Sequence, residues 1–405
     1  MNFEPIEFLN SPKTIRGRCN QLYLLGLEDR LENFCIREDR LPISVDLVKD
    51  EILANYPDLN IPPHSRWQHF DVRGTNHWSP YKSKFRDDRD LLLAQIDLAV
   101  ISVLLDAGAG PNWCFKDPLT GESNFRSEGL ALASLYLFCE GTFSSDHSDP
   151  LKADAEALRK FSVEQLAGGF QVSAENPLVG LEERAALLRR LGEQLINFCR
   201  TDQDQNPRIA NILDKTLIGE DRVLKVDLLL EILLNMLQDV WPKRLTLGNK
   251  NLGDVWRHRL LADSEITAEL VPFHKLTQWL TYSLLEPLQE AGFQVQDIDL
   301  LTGLSEYRNG GLFLDTGVLE LREPAEVDAL HPVSSEIIVE WRALTVILLD
   351  RLGEQLRERM GLKSEELTLP QILQGGTWST GRKLAYKRSP DGSPPLRVES
   401  DGTVF

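Results

Sequence analysis

The sequence contains little cysteine and little methionine, with 5 and 3 residues in a chain of 405. The cysteines form neither a CxxC pair nor the spacing of a zinc finger, and their number is odd. This pattern excludes a regular disulfide framework and is typical of reduced, partly buried thiols in a cytosolic protein. We therefore predict a cytoplasmic location. The cysteines are Cys19, Cys35, Cys114, Cys139 and Cys199.

Long uninterrupted apolar runs are also missing. The two most apolar segments, 91–105 and 226–237, are short and contain Asp97, Asp227 and Glu231. Such segments are typical of buried helices and not of membrane spans. The start of the chain, MNFEPIEFLN, has neither the basic nor the apolar region of a signal peptide. We expect no membrane partner.

Basic residues are scarce relative to acidic ones, 44 against 62, which gives a net charge of -18. A surface of this sign repels phosphate backbones, so we expect no nucleic-acid partner. Neither GxGxxG, GxxxxGK[ST] nor GxSxG occurs. His64, His69 and His77 share one loop but lack a supporting HExxH or cysteine pattern. We therefore predict neither a metal nor a cofactor.

Helical periodicity dominates what is present. We predict helices at 12–27, 45–55, 87–106, 127–140, 151–166, 180–199, 226–240, 272–291 and 334–360. Strand signals are confined to 312–321 and to a C-terminal hairpin of 383–387 with 396–399. The expected fold class is mainly α, a single helical domain with a few short strands and that C-terminal β-hairpin. Within 1–405, N-terminal helices and a loop occupy 1–80, the helical core 81–360, and an extension with the hairpin 361–405.

The segment 271–319 carries the most chemistry. Two carboxylates lie seven residues apart and are followed by an aromatic residue and a cation. Such a set can hold a sugar and stabilise a cationic transition state. The alternatives are an ion pair between Glu306 and Arg308 that closes a loop, and a solvated face for Lys275. The candidate residues of this segment are His274, Lys275, Gln278, Asp299, Glu306, Tyr307 and Arg308.

Two other segments are polar enough to contribute. Asn112 and Trp113 follow a run of small residues, and Ser127 and Glu128 stand at a predicted helix start. There the serine caps the helix or the backbone N–H groups face an anion. The segment 241–259 holds five Lys or Arg residues and one acid. It attracts a phosphate or pairs with acidic neighbours.

Several blocks together resemble the uracil catabolism protein four family. They include SVLLDAGAGPNW (102–113), LVPFHKLTQWLTYSLLEP (270–287), LTGLSEYRNGGLFLDTGV (301–318), GGTWSTGR (375–382) and SDGTVF (400–405). The resemblance extends from about residue 5 to the last residue. It implies a role in a pyrimidine breakdown route that passes through a ribosylated urea and ends in urea. We also expect association with other pyrimidine-breakdown enzymes if the chain channels intermediates between them.

The block 297–314 is also similar to one in queuosine 5'-phosphate N-glycosidases, in which an Asp precedes an Asp-Tyr-Arg-Val-Pro-Gln run by seven residues. Asp299 and Glu306 match the two acids, and Tyr307 and Arg308 match the next two positions. This resemblance implies a helical core like that of DNA glycosylases. It also implies that Glu306 stabilises an oxocarbenium-like state while Asp299 holds ribose hydroxyls or shares the attacking water. Glu in place of Asp, and Asn-Gly-Gly in place of Val-Pro-Gln, suggest a smaller leaving group.

The same resemblance implies roles for the other candidates. Lys275 and Arg308 bind a 5'-phosphate, and His274 protonates the leaving nitrogen or touches that phosphate. Asn112 and Trp113 face a planar leaving group. Glu340, Arg342 and Asp315 are expected to support the site from behind, since charges on an apolar helix need partners.

The leading hypothesis is a metal-independent N-glycosidase that releases urea from ribosylurea or its 5'-phosphate. One alternative is an amidohydrolase acting on a ring-opened pyrimidine. A second is a non-catalytic protein that binds and channels intermediates of the same pathway. A relative of DNA glycosylases acting on DNA is disfavoured by the net charge of -18.

Overall fold

A computed structural model describes residues 5–106, 108–216 and 222–399. Its regular structure is mostly α-helical, and the strands in these parts have two or three residues each. The predicted mainly α fold with short strands is therefore confirmed. Ala107 and the terminal block 400–405 lie outside the described residues. No helix within these ranges is both long enough and apolar enough to cross a bilayer.

Helices and short strands alternate along much of the chain. In chain order, the α-helices are α1 (Pro5–Leu9), α2 (Pro12–Leu27), α3 (Leu41–Asn55), α4 (Ser79–Lys82), α5 (Asp88–Leu104), α6 (Arg126–Cys139), α7 (Ala155–Arg159), α8 (Val163–Gly169), α9 (Leu181–Cys199), α10 (Leu213–Thr216), α11 (Val226–Leu237), α12 (Lys275–Glu290), α13 (Tyr307–Asp315), α14 (Glu336–Met360), α15 (Leu369–Ile372) and α16 (Trp378–Arg388). The strands are β1 (Phe34–Ile36), β2 (Asp71–Val72), β3 (Thr75–Asn76), β4 (Cys114–Lys116), β5 (Ser123–Phe125), β6 (Val223–Lys225), β7 (Thr246–Leu247), β8 (Lys250–Asn251), β9 (Val255–Arg257), β10 (Leu270–Pro272), β11 (Gln294–Gln296), β12 (Leu319–Leu321), β13 (Leu330–Pro332) and β14 (Arg397–Glu399).

The chain divides into two compact units. Unit 1 consists of Met1–His64, Asp254–Gln278 and Asp297–Ser400, and unit 2 of Ser65–Gly253, Trp279–Gln296 and Asp401–Phe405. Both units are therefore built from more than one stretch of the chain. The organisation as a single domain, with the boundaries expected from the sequence, stays a prediction.

Helix α14 forms the core of unit 1. It packs against α2, α3 and α13, and its residues from Ile337 to Leu349 are buried. A helix that is buried on all sides needs neighbours on every face. Helix α2 begins where the sequence predicts, because the Ser11 hydroxyl accepts a hydrogen bond from Thr14 N and Pro12 is the first helical residue.

Two glycines allow α13 to approach its neighbours closely. A Cβ atom at Gly381 of α16 would lie 2.2 Å from the carbonyl oxygen of Arg308. A Cβ atom at Gly310 would lie 2.7 Å from the ring of Trp341 in α14. Glycine is therefore needed at both positions to place the first turn of α13.

Helix α5 is buried in unit 2 and carries an acid at its centre. Asp97 accepts hydrogen bonds from Ala153 N and Ala210 N, both at 2.8 Å, and from Arg208 Nε at 2.9 Å. A buried carboxylate is tolerated when its oxygens are bonded in this way. Asp97 thus ties two loops to the core helix of unit 2.

Three local predictions are wrong. The segment 312–321 is not one strand, because α13 continues to Asp315 and only β12 pairs, antiparallel, with β1. The C-terminal hairpin is absent from the described residues, since 383–387 belongs to α16 and β14 pairs in parallel with β13. The predicted helix 151–166 is divided into α7 and α8, because Ser162 starts a new helix with a capping box.

Candidate functional site

Glu306 is the N-cap residue of α13 in unit 1. Its Oε1 accepts a hydrogen bond from Asn309 N at 2.6 Å, and its Oε2 accepts one from Arg308 N at 2.7 Å. The residue is 8% exposed. A carboxylate oxygen has two lone pairs, so these bonds fix the group while leaving one lone pair on each oxygen. Because both partners are N–H donors, the ionised form is the one that the backbone binds.

The surroundings of Glu306 shift its pKa in opposite directions. Burial raises the pKa of Glu306 above its usual range. The backbone N–H groups of Arg308 and Asn309 and the positive charges of Lys275 and Arg308 oppose that shift. Lys275 is the first residue of α12 and is half-buried. Its ammonium group therefore lies close enough to stabilise the ionised carboxylate.

Asp254 and Arg342 form a two-pronged ion pair beside Lys275. Arg342 Nη1 and Nη2 donate to the two carboxylate oxygens at 2.8 and 2.7 Å. Asp254 also accepts from Lys275 N at 3.0 Å and from Trp256 Nε1 at 2.7 Å. Burial would raise the pKa of Asp254, but the charge of Arg342 and these hydrogen bonds outweigh it and hold the pKa below the usual range. Asp254 thus anchors the start of α12.

His274 precedes that helix in a left-handed conformation with φ of 46°. Its Nε2 lies 3.2 Å from the carbonyl oxygen of Leu9 and therefore donates to it. Burial lowers the pKa of His274 to about 4, although Asp254 and the Leu9 carbonyl oppose this. The imidazole is consequently neutral near pH 7. Glu306, Lys275, Asp254, Arg342 and His274 are together called the Glu306 cluster.

Two predicted residues of unit 1 lie outside this cluster. Asp299 is exposed in a short 3-10 helix, Ile298–Leu300, so Asp299 and Glu306 share neither a helix nor a common environment. Gln278 is buried and forms two hydrogen bonds with Thr302. Its Nε2 donates to Thr302 Oγ1 at 2.9 Å, and its Oε1 accepts from Thr302 N at 2.9 Å. The amide of Gln278 therefore fastens the loop that leads to Glu306.

Arg308 does not close the loop through an ion pair with Glu306. Its Nη1 donates to the carbonyl oxygen of Gly392 at 2.8 Å, and its guanidinium lies 4.8 Å from the ring centroid of Tyr307. Only its backbone N–H reaches the Glu306 carboxylate. Arg308 thus connects the start of α13 to the C-terminal turn.

The predicted supporting charges have partners within unit 1. Glu340 is fully buried and accepts from Asn33 N at 3.1 Å and from His258 Nε2 at 3.3 Å. Asp315 accepts from Arg388 Nε at 2.9 Å, and burial raises its pKa. Of the three residues expected behind the site, only Arg342 belongs to the Glu306 cluster.

Unit 2 contains a second buried polar group, centred on Arg66. The side chain of Arg66 is fully buried, its Nε donates to Ser102 Oγ at 2.6 Å, and its Nη1 lies 2.9 Å from Asp106 Oδ1. Ser102 in turn contacts Ser134 Oγ at 2.6 Å, and Ser134 donates to the carbonyl of Ala131. We call Arg66, Asp106, Ser102, Ser134 and Ser127 the Arg66 cluster.

The predicted residues of unit 2 divide between this cluster and the core. Ser127 does not cap α6, because Phe125 is the N-cap residue, and its hydroxyl donates to Asp106 Oδ2 at 3.2 Å. Glu128 is half-buried in the same helical turn. Asn112 is exposed, whereas Trp113 is buried and donates from Nε1 to the carbonyl of Phe170 at 2.9 Å.

The histidines and the basic segment have other partners. His77 Nε2 lies 2.9 Å from Asp117 in unit 2, and His64 Nδ1 lies 2.9 Å from Gln374 in unit 1. Residues 5–106, 108–216 and 222–399 contain no group of three or more His, Cys, Asp or Glu side chains placed to hold a metal. In the basic segment, Arg257 pairs with Glu269 and Arg259 with Glu336.

Sequence reasoning missed Asp254 and Arg66 as site residues. Asp254 is the one acid in the basic segment 241–259, and that isolation was a usable signal. Arg66 stands in a loop rich in aromatic and polar residues, where nothing in the sequence marks it as fully buried. Its partner Asp106 follows an apolar helix, and the pairing depends on a long-range contact.

Residues 8–405 match the family model described as protein of unknown function (DUF1688). The chain belongs to that family. It is 40% identical over 416 residues to protein urg3 of Schizosaccharomyces pombe, covering 100% of both chains. It is 34% identical over 437 residues to uracil catabolism protein 4 of Lachancea kluyveri, covering 99% of both. The first resemblance seen in the sequence is confirmed, and the second stays a prediction.

Proposed function

We propose that this chain is an enzyme of uracil catabolism that hydrolyses the N-ribosidic bond of ribosylurea or its 5'-phosphate. The similarity to uracil catabolism protein 4 along both whole chains supports the pathway. The geometry of Glu306 supports the reaction, and it is the observation on which the proposal depends. This carboxylate is fixed by two backbone N–H groups and keeps one lone pair on each oxygen.

The proposed reaction uses that carboxylate on a sugar. As the bond between the anomeric carbon and nitrogen breaks, positive charge develops on the carbon and the ring oxygen. The Glu306 carboxylate stabilises this charge and accepts a proton from the attacking water. The water supplies a hydroxyl group to the anomeric carbon, and the proton passes to the departing nitrogen. The products are ribose, or its phosphate, and urea.

The other residues have supporting roles in this proposal. Lys275 favours the ionised form of Glu306 and contacts the 5'-phosphate when one is present. Asp299 reaches the ribose hydroxyls from the exposed 3-10 helix. Asp254 and Arg342 fix the start of α12, which carries Lys275. His274 is neutral near pH 7, and its one N–H group already donates to the carbonyl oxygen of Leu9, so the proposed reaction includes no proton transfer from it.

The remaining candidate residues are either positioning residues or proposed substrate contacts. Gln278 and Arg308 are positioning residues, because their polar atoms bind Thr302 and Gly392. Tyr307 stays a proposed sugar contact beside Glu306. Ser127, Glu128 and Asn112 belong to unit 2, and their contacts with a substrate stay predictions from the sequence, whereas the N–H group of Trp113 in the same unit is engaged by Phe170. Glu340 and Asp315 stabilise unit 1 through His258 and Arg388.

The test is an assay of the purified chain with ribosylurea and with its 5'-phosphate, without added metal. We expect urea and the sugar to appear in equal amounts from at least one substrate. Binding of both compounds without turnover would instead support a channelling protein. Ammonia released from a ring-opened pyrimidine, with no urea from either riboside, would support an amidohydrolase. Either outcome would contradict the proposed N-glycosidase.

A further inference from the structure

One nitrogen of the Arg66 guanidinium in unit 2, Nη2, is not used by the contacts of this residue. Its Nε donates to Ser102, its Nη1 lies against Asp106 and 3.4 Å from the carbonyl of Ser127, and its backbone N–H donates to Ser283. Its Nη2 is buried and has no hydrogen-bond partner among the residues that the structure describes. A buried charged donor left without a partner is costly, so a ligand or water that accepts from it is expected.

The charges around Arg66 balance. Asp106 and Glu128 are both close enough to act on its guanidinium, and the second cation nearby is Arg184. The donors of Arg184 already serve backbone carbonyls, with Nη2 2.9 Å from Gly108 O and Nε 3.2 Å from Val179 O. Burial and the charge of Arg66 lower the pKa of His69, which is therefore neutral. Two cations and two carboxylates favour a neutral ligand over an anion such as phosphate.

The ring of Trp279 lies beside the Arg66 cluster. The Arg66 guanidinium lies 5.6 Å from the centroid of the Trp279 ring, and His69 meets that ring edge-on at 5.8 Å and 87°. Trp279 is 5% exposed, whereas Ser127 and Glu128 are half-buried in the first turn of α6. The accessible edge of the cluster therefore lies at that turn.

We propose that the Arg66 cluster binds a neutral planar ureide. Its carbonyl oxygen accepts a hydrogen bond from Nη2 of Arg66, its N–H groups donate to the neighbouring carboxylates, and its flat face lies against Trp279. Geometry alone defines a neutral planar amide, and the choice of a ureide within that class rests on the proposed function. The site itself uses residues of unit 2 only and does not require Glu306.

Uracil is the probe, since it is a neutral cyclic ureide, and its binding to the whole chain is measured by isothermal titration calorimetry. Arg66→Lys keeps the charge but removes the forked donor, and we expect it to raise the Kd for uracil by about tenfold to a hundredfold. Arg208→Lys is the matched control, because it makes the same change beside another buried aspartate, Asp97. We expect that variant to bind uracil as the unaltered chain does.

A milder variant covers the case in which Arg66→Lys does not fold. Glu128→Gln alters a half-buried side chain, and we expect a loss of affinity of about threefold to tenfold. Equal uracil binding by the unaltered chain, Arg66→Lys and Glu128→Gln would overturn the proposal. So would the absence of uracil binding, or displacement of uracil by an equal concentration of inorganic phosphate.

Glu306→Gln separates this inference from the proposed function. Retained uracil binding in that variant supports the Arg66 site, even if the unaltered chain releases no urea from ribosylurea. Urea release with uracil binding that is indifferent to Arg66 would instead leave the proposed function standing and overturn the inference.

Discussion

The Glu306 cluster of unit 1 and the Arg66 cluster of unit 2 are both buried and polar, but they are built around opposite charges. In the Glu306 cluster two carboxylates, Glu306 and Asp254, accept hydrogen bonds from backbone N–H groups at the starts of α13 and α12. In the Arg66 cluster a guanidinium donates to a serine and forms an ion pair with an aspartate, and its Nη2 has no hydrogen-bond partner among the described residues.

This difference separates two kinds of chemistry. A fixed carboxylate with a remaining lone pair can stabilise a developing cation, because its orientation costs nothing at the moment of reaction. A fixed guanidinium with a spare donor can recognise an acceptor on a ligand, because leaving that donor unbonded is unfavourable. This difference fits the two proposals, which are charge stabilisation in unit 1 and recognition of a neutral group in unit 2.

The largest expected effect on stability comes from breaking the ion pair of the Glu306 cluster. Arg342→Met leaves the Asp254 carboxylate without its main partner, and we expect the free energy of unfolding to fall by about 3–5 kcal/mol. Arg159→Met is the control, since its ion pair with Glu193 is 49% and 57% exposed and we expect a loss of about 1 kcal/mol or less. Denaturant unfolding measures both, and equal losses would show that the Asp254 pair does not anchor α12.

The pH dependence of the unfolding free energy tests the burial of His274 in the Glu306 cluster. Its pKa is about 4 in the folded chain against an ordinary 6.5, so the unfolded chain binds the proton first as the pH falls. The stabilisation is complete above about pH 6.5 and is lost progressively towards pH 4. We expect the difference in unfolding free energy between the unaltered chain and His274→Asn to shrink by about 3 kcal/mol over that interval.

Asparagine is the suitable replacement at this position because it tolerates the left-handed backbone. Unfolding curves of both proteins at pH 7 and pH 4 give the result. A difference that does not change with pH would mean that His274 titrates normally in the folded chain.

A smaller effect on stability tests whether the Arg66 cluster is organised around the guanidinium of Arg66. Ser102→Ala removes the acceptor of Arg66 Nε and leaves a charged donor unbonded, so we expect a loss of about 1–3 kcal/mol. Ser134→Ala removes only the partner of a neutral hydroxyl, and we expect about 1 kcal/mol. Thermal unfolding of the two variants compares them, and a larger loss for Ser134→Ala would contradict the assignment.

Local signals in the sequence predicted most helices well but predicted neither the strand pairing at the C-terminal end nor the Arg66 cluster. Ser11 and Pro12 fixed the start of α2 because capping is a property of adjacent residues. The strand expected at 312–321 is instead helical as far as Asp315, and the close approach of Gly310 to Trp341 in this region is a long-range contact that the local sequence does not reveal. The prediction of a C-terminal hairpin was wrong for the same reason, since β14 pairs with β13, in which Leu330 lies 67 positions before its partner Arg397.

The candidate site was predictable only in part. Glu306, Lys275, His274 and Arg342 could be named from one polar segment and one apolar helix. Asp254 and Arg66 owe their importance to burial and to partners distant in the sequence, which periodicity does not reveal. Asp299 was singled out by its spacing from Glu306, although the loop between them places it in an exposed 3-10 helix.

The smallest expected effect concerns Asp299. Because its side chain is exposed, we expect Asp299→Asn to change the free energy of unfolding by about 0.5 kcal/mol or less. If Asp299 reaches the ribose hydroxyls, the variant should raise KM for ribosylurea while kcat changes little. Unchanged kcat and KM would remove Asp299 from the proposed site without affecting Glu306.

The most direct test compares two buried carboxylates that cap helices. Asp154 caps α7 in unit 2 and accepts from Ala157 N at 3.0 Å, so Asp154→Asn and Glu306→Gln each neutralise a capping charge. Urea release from ribosylurea is measured for both folded variants. We predict that Glu306→Gln loses about a hundred- to a thousandfold in kcat, whereas Asp154→Asn keeps the rate of the unaltered chain. Equal rates for the two variants would contradict a catalytic Glu306.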